Sequence, residues 1–445
     1  MNKDMTYGNP SKILFYFALP MVLGNILQQF YNIVDSMIVG NFVGADALAA
    51  VGASYPITFV LITVSNGCGI SCGVVISQFY GGNLIDKVKT STFTSMAFIT
   101  VFSFLIMLFG IIFCDDILTL MNTPADIFQD SSIYMKIYFM GVVFLFLYNI
   151  INSSFNALGN SQTPLKFLLF SSFFNIILDL MFVVKFNAGV AGAAVATLIS
   201  QVLSASLSLF SLLKTLKYLQ SSTKIKFFDF SILKNIFKIA VPSILQQSIV
   251  SIGNLFVQSL VNSYGSIVIA GYAAAVKIDS ITILPMSNMS NAISTFTGQN
   301  IGAHKEERIH SGYKAALVMI GIFCAFIACM LFFFGHKLIG LFVDSTSNPG
   351  VIDVGTQYMQ IVSLFYFFMG LMVITNGVLR GSGDMKVFLA STAVNLSTRV
   401  IFAYGLAFLI GASAIWYAVP LGWIFASTVS VIRYRSNKWL NKGLV

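Results

Sequence analysis

Residues 18–40 read ALPMVLGNILQQFYNIVDSMIVG, an apolar stretch interrupted by a single charge. About 20 predominantly apolar residues suffice to cross a bilayer as one helix. Within the stretch Asn25, Gln28, Asn32 and Asp35 recur at spacings of three, four and three. That spacing is one helical face. The segment therefore reads as a membrane-crossing helix whose polar stripe is turned toward protein or a cavity rather than toward lipid.

The rest of the chain fits this reading. Of 445 residues, 57% are hydrophobic and 9% charged, with a mean hydropathy of +0.85. A soluble domain carries about 25% charged residues, so this chain cannot cover itself with polar surface in water. Apolar runs between charged or Gly/Pro-rich breaks predict six spans in the first half, near 13–40, 53–79, 92–114, 133–157, 166–185 and 190–213. Six more follow near 236–262, 267–298, 313–334, 357–380, 386–411 and 413–433. The expected fold is all-α and integral to the membrane: twelve transmembrane helices in two six-helix bundles.

Lys and Arg set the orientation. With the N-terminus inside, twenty of the 25 fall in cytoplasmic segments, including Lys3, Lys12, Lys214, Lys217, Lys224 and Lys226. Only Lys136, Lys185 and Lys337 fall outside, and Lys277 and Arg399 lie within spans. This bias places both termini in the cytoplasm of a multi-pass protein of the inner cell membrane. It also accounts for the net charge of +9 without a basic face for nucleic acid. The longest basic connection falls at the midpoint, so the expected organisation is a first lobe at 1–213, a cytoplasmic linker at 214–235 and a second lobe at 236–445. Anionic lipid headgroups would also suit that linker.

A shift of about 220 residues superimposes the punctuation of the two halves. Pro20 meets Pro242, Gly44 meets Gly265, QFYGGN (78–83) meets QNIGAH (299–304), NALGNSQTP (156–164) meets NGVLRGSGD (376–384), and Asn175 meets Asn395. Repeats with an even number of spans keep one orientation and relate by a pseudo-two-fold axis along the membrane normal. Such repeats place a substrate path at their interface and permit alternating access.

Ionisable groups at membrane depth cost at least ~2.5–3.5 kcal/mol each, so each calls for a reason. There are five: Asp35, Asp179, Lys277, Asp279 and Arg399. The stripe of Asp35 recurs in the second half as Gln247, Ser251, Asn254 and Gln258, but Val257 stands where Asp35 would be. The stripe thus lines a cavity in both halves, and the carboxylate is an addition to the first. Asn175 and Asp179 share a face at i, i+4; the 220-residue shift sets Asn395 and Arg399 against them. Counting rise from the outer ends puts Asp35, Asp179 and Thr197 at one depth, ~9–11 Å below the surface. Two carboxylates, an amide and a hydroxyl at one level suit a hard cation such as Na⁺, or a shared proton. Lys277 and Asp279, at i, i+2, cannot face the same partner, so either could pair with Arg399 or a backbone carbonyl.

These residues resemble the multidrug and toxic compound extrusion (MATE) family over nearly the whole chain, through the 18–40 pattern and the GVLRGSGDMK loop (377–386). The Asn175–Asp179 pair with Ala193 and Thr197 is similar to that family's first-lobe cation site. The resemblance implies side-chain ligands from Asp35, Asn175, Asp179 and Thr197, backbone oxygen from Ala193, and secondary membership for Tyr134 and Asn152. Pro20 is similar to the family's helix-bending proline. Acidic second-lobe residues of the NorM type are missing from the seventh and tenth spans, so the chain looks closer to the DinF type. The implied activity is export of amphipathic, cationic small molecules by antiport with H⁺ or Na⁺, by a monomer without a cofactor.

No P-loop, HExxH or GxSxG pattern occurs, so neither ATP-driven transport nor common hydrolase chemistry has a basis in the sequence. The five cysteines lack a neighbouring His or third thiol and read as small buried hydrophobes. The rival function is a lipid-linked oligosaccharide flippase of the same superfamily, which would call for a cationic cavity. A membrane enzyme or channel lacks both motif and filter.

Overall fold

The computed structural model describes residues 4–220, 225–341 and 349–445; Lys3, Lys224 and residues 221–224 of the linker lie outside the described residues. Every regular element among the described residues is helical. In chain order they are α1 (Pro10–Phe42), α2 (Ala45–Gly81), α3 (Ile85–Ile112), the short α4 (Cys114–Leu120), α5 (Ala125–Ala157), and α6 (Gln162–Asp179), which continues as a π-helix over Leu180–Lys185. Then come α7 (Gly189–Tyr218), α8 (Phe230–Asn262), α9 (Ser266–Gly302), α10 (Glu306–Ile339), α11 (Pro349–Ser363), α12 (Tyr366–Ser382), α13 (Met385–Ile410) and α14 (Ser413–Arg435). Among the described residues eleven helices are long and apolar enough to cross a bilayer singly, and α11 with α12, bent by 56°, counts as a twelfth span if the pair is one.

The break in that twelfth span was not visible as a Pro or Gly in the sequence. Its consequence is clear in the packing: the hydroxyls of Tyr358, before the break, and Tyr366, after it, both donate to Asp279, at 3.2 and 2.5 Å. In a straight helix residues eight apart are separated by about 12 Å along the axis, too far to share one carboxylate easily. The short α4 is a second departure. It lies beyond the third span, where Lys136 and Ser132 hold the Asp115 carboxylate at 2.8 and 2.5 Å.

The chain divides into two compact units. Unit 1 comprises Met1–Asp4 and Leu19–Ala240, and unit 2 comprises Met5–Ala18 and Val241–Val445. In unit 1, α5 packs along α2, α3 and α7. In unit 2, α9 packs along α10, α11 and α12, and α14 along α13 and α12. The first residues of α1 thus belong to unit 2, and the first residues of α8 to unit 1. Pro20 and Pro242 stand one or two residues past these crossings. Each lacks an amide proton and weakens its helix at that point. Met5–Gly8 is held inside unit 2: Met5 N donates to Gln299 Oε1 at 2.9 Å, and Arg308 donates to the Met5 and Gly8 carbonyls at 3.1 and 2.9 Å.

Repeat-related turns share backbone conformation. Gly44 and Gly265 precede α2 and α9 with φ of 124° and 86°, a region that L side chains rarely adopt. The left-handed glycines that follow α5 and α12 are Gly159 and Gly383, 224 residues apart. The register after α5 is therefore 224 rather than about 220. It sets Arg399 opposite Asn175, not opposite Asp179. The counterpart of Asp179 becomes Ala403, fully buried like Val257. A carboxylate pair in one unit is matched by an apolar pair in the other.

Candidate functional site

Asp35 and Asp179 are brought together inside unit 1. Asp179 is completely buried at the end of α6, where the helix widens into its π segment. Such widened turns collect at functional positions. Gly192 on α7 permits this geometry, since a Cβ there would stand 3.2 Å from the Phe182 backbone. Asp35 on α1 is half-buried, and its carboxyl stands beside that of Asp179. Neither oxygen of Asp179, nor Asp35 Oδ1, nor either amide atom of Asn175 finds a partner among the described residues. Buried polar groups are normally satisfied. Two ionised carboxylates here would repel without compensation, so the pair calls for a proton or cation between them.

The surroundings define what could sit there. Tyr31, one turn before Asp35, lies beside both carboxylates, and its hydroxyl reaches Thr197. Tyr134 on α5 also stands beside both, its ring stacked on Tyr138 at 6.2 Å. Ala193 belongs to an apolar cluster with Ile38, Val39, Ala47, Val183 and Val190, against which Tyr134 packs. In the opposite direction lies a cavity of about 120 Å³, lined in part by Phe144, Leu145 and Leu168. Gln28, Tyr31, Tyr148, Ser171, Asn175, Thr197, Ser200 and Ser204 contribute to its wall. The pair is thus sealed on one side by aliphatic side chains and bordered on the other by hydroxyls and amides. The donors are two carboxylates, an amide and hydroxyls, oxygen chemistry that fits Na⁺ or H⁺. No group of three or more His, Cys, Asp or Glu suited to a metal occurs among the described residues.

Asn152 does not join this arrangement. It lies eighteen residues beyond Tyr134 on α5, about 27 Å along the axis, and accepts from Asn156 at 3.1 Å. Spacing missed Tyr31, although its i−4 relation to Asp35 was a readable signal. The serines of α7 at 200, 204 and 208 were equally readable. Of the α1 stripe, Asn25 is half-buried while Gln28 and Asn32 are exposed. In unit 2, Asn254 is exposed, Gln247, Ser251 and Gln258 are half-buried, and Gln258 donates to Asn262 at 2.8 Å.

The charges of unit 2 are arranged differently. Asp279 is buried and takes the two tyrosine hydroxyls described above. Arg399 donates to Asn254 Oδ1 and to the Tyr272 hydroxyl, each at 3.3 Å. Tyr272, Tyr358 and Trp416 form an aromatic cluster, Tyr272 stacked on Trp416 at 5.7 Å. Lys277 is exposed on α9.

Comparison with known proteins agrees with this architecture. The MatE family model matches residues 20–181 and again 242–405. The probable multidrug resistance protein YpnP of Bacillus subtilis is 31% identical over 98% of this chain and 97% of its own length. The multidrug export protein MepA of Staphylococcus aureus is 25% identical, covering 84% of this chain and 82% of its own. An outward-facing multidrug resistance MATE transporter of known structure superimposes with a TM-score of 0.90 at 22% identity, over 98% and 97% of the two chains. A transporter of the MOP superfamily from Pyrococcus furiosus, described as having a binding pocket of reverse polarity, gives 0.89 at the same identity, over the same shares of the two chains. With the family model matched once in each half and a relative aligned from end to end, the chain belongs to the MATE family of membrane transporters.

Proposed function

We propose that this protein exports amphipathic, cationic compounds from the cell by antiport with H⁺ or Na⁺, and that Asp35 and Asp179 hold the coupling ion. The observation that carries this reading is the adjacency of two carboxyls whose buried oxygens have no protein donor. Asn175, Thr197 and Tyr31 complete the site, with Ala193 packed against it and Tyr134 beside the carboxylates. Ion entry neutralises the pair and lets α1 repack, bending near Pro20; ion release on the cytoplasmic side resets it. The two lobes alternate access, and the Lys and Arg bias places both termini in the cytoplasm. The stripes of α1 and α8 line the substrate path, and the transporter works as a monomer. An electrogenic ion falling through ~150 mV would supply roughly 3.5 kcal/mol. The flippase reading gains no support from the unit 1 cavity, whose lining carries no Lys or Arg.

Coupling requires that substrate and ion affect each other's affinity by the same factor. The experiment is equilibrium binding of a fluorescent cationic drug to purified protein between pH 5 and 8, with and without Na⁺. Affinity should fall as pH drops or Na⁺ rises, and Asp179→Asn should lose that response. Wild-type affinity indifferent to both ions would overturn the reading.

A further inference from the structure

We propose that the hydroxyl- and amide-bearing cavity of unit 1 is a hydrated passage through which the coupling proton leaves the Asp35–Asp179 pair toward the cytoplasmic end of α7. The proposal rests on the coupling role given above and adds the route and the residues that form it.

Four elements build the cavity: Gln28 and Tyr31 come from α1, Tyr148 from α5, Ser171 and Asn175 from α6, and Thr197, Ser200 and Ser204 from α7. On each helix these residues lie on the side of the ion pair away from the apolar cluster around Ala193. By the Lys and Arg bias that side faces the cytoplasm. Thr197, Ser200, Ser204 and Ser208 follow one another at three, four and four residues, one face of α7. Their span from 197 to 208 covers about 16 Å at 1.5 Å per residue.

A run of small polar residues alone would signify little, but here several of them are orphaned. Ser200 Oγ and both amide atoms of Asn175 are buried, line the cavity and have no hydrogen-bond partner among the described residues. Ser208 Oγ, further along the same face, is buried and unpartnered as well. Serine in a membrane helix usually returns its hydroxyl to the carbonyl four residues back, as Ser154 does on α5 at 2.8 Å. Ser200 and Ser208 do not.

Volume selects the occupant. Drug-sized ligands occupy about 300–1,000 Å³, well above the 120 Å³ found here. One water needs about 10–15 Å³ by the same measure, so several waters fit, with hydroxyls and amides along the wall to bind them. The lining carries no Lys, Arg, His, Asp or Glu; Tyr31 and Tyr148 are its ionisable groups, and Tyr31, which lies beside Asp35 and Asp179, joins it to the pair. The wall is uncharged: between Phe144, Leu145 and Leu168 stand hydroxyls and amides that both donate and accept, and these let an excess proton move without trapping it. The protonated pair gives one proton to the first water and returns to its more negative state. Each hydroxyl along the way accepts one proton and donates another, so the wall is unchanged after passage.

The test is Ser200→Val combined with Ser204→Val, which fills the passage without touching either carboxylate. In liposomes, efflux of a cationic dye driven by a pH gradient should slow at least tenfold, while equilibrium dye affinity and its pH response stay within twofold of wild type. A monodisperse double variant that transports at the wild-type rate overturns the passage. Should the variant fail to fold, radiolytic hydroxyl-radical labelling of wild-type protein decides. Tyr148 should be oxidised well above Tyr138, likewise half-buried on α5 but outside the cavity; equal labelling means a dry cavity and overturns the proposal. Loss of the wild-type pH response would instead overturn the coupling role itself, and a response to Na⁺ alone would remove the proton from this route.

Discussion

Asp35 and Asp179 stand side by side, and neither oxygen of Asp179 has a hydrogen-bond partner among the described residues. Asp35→Asn should therefore abolish coupled export while leaving the protein folded and inserted, since unit 2 accommodates Val257 at the matching position. Dye efflux from cells expressing the variant at wild-type levels checks this. Full efflux would argue against a coupling role.

Arg399 is held by Asn254 and the Tyr272 hydroxyl, and its charge would repel cationic drugs. Arg399→Ala should lower stability or transport rate for all substrates alike. Resistance profiles across several cationic compounds provide the measurement; a changed spectrum with unaltered rate and expression would make Arg399 a substrate contact.

Close helix packing in unit 2 depends on Gly377 and Gly381. A Cβ on Gly377 would lie 2.6 Å from the Ser290 carbonyl oxygen, and one on Gly381 would collide with that of Ser294. The obstacle is backbone, which cannot rotate aside, so Gly381→Ala should destabilise unit 2 by about 1–3 kcal/mol. Thermal unfolding in detergent, followed by size-exclusion chromatography, would show it as a clear drop in midpoint.

Asp384, only 3% exposed, accepts from Arg433 Nε at 2.5 Å. Arg433→Ala would strand that carboxylate, at a cost of about 3–5 kcal/mol if the site stays dry. Asp384→Asn with Arg433→Gln should recover a good part of the loss. A double variant no more stable than Arg433→Ala would show that the pair is not coupled.

The hydrogen bond from Lys136, and then that from Ser132, holds the Asp115 carboxyl below the usual carboxylate range. A lowered folded-state pKa gives stability that is present above the unfolded value, near 3.9, and lost as pH falls through the folded value. Denaturation midpoints should thus show no contribution from Asp115 to pH dependence between 5 and 8, and Asp115→Asn should cost no more than about 1 kcal/mol at this half-exposed pair. A larger loss at pH 7 would indicate a role for α4 beyond this contact.

Hydropathy and the Lys/Arg pattern made the twelve spans legible, because a bilayer imposes length and composition on every crossing segment. Single-residue spacing made Asp35, Asn175, Asp179 and Thr197 legible as residues at one depth. The partner of Arg399 was not legible, because the repeat register slips from about 220 to 224 after α5 and only the left-handed conformations of Gly159 and Gly383 reveal it. Tyr358 and Tyr366 escaped for a similar reason: a 56° break carries no Pro or Gly to announce it. The Asn152 assignment came from resemblance, and rise along α5 removes it from the carboxylates.

The crossings at Pro20 and Pro242 bear on ancestry. Each unit is completed by a short N-terminal stretch encoded in the opposite half of the gene, residues 5–18 for one and 230–240 for the other. A half-length ancestor assembling as a two-fold homodimer would have traded this stretch with its twin, as swapped dimers do. Duplication and fusion then needed only a tether to join the end of one copy to the start of the next, and the stretch from 214 to 235 has that place in the chain.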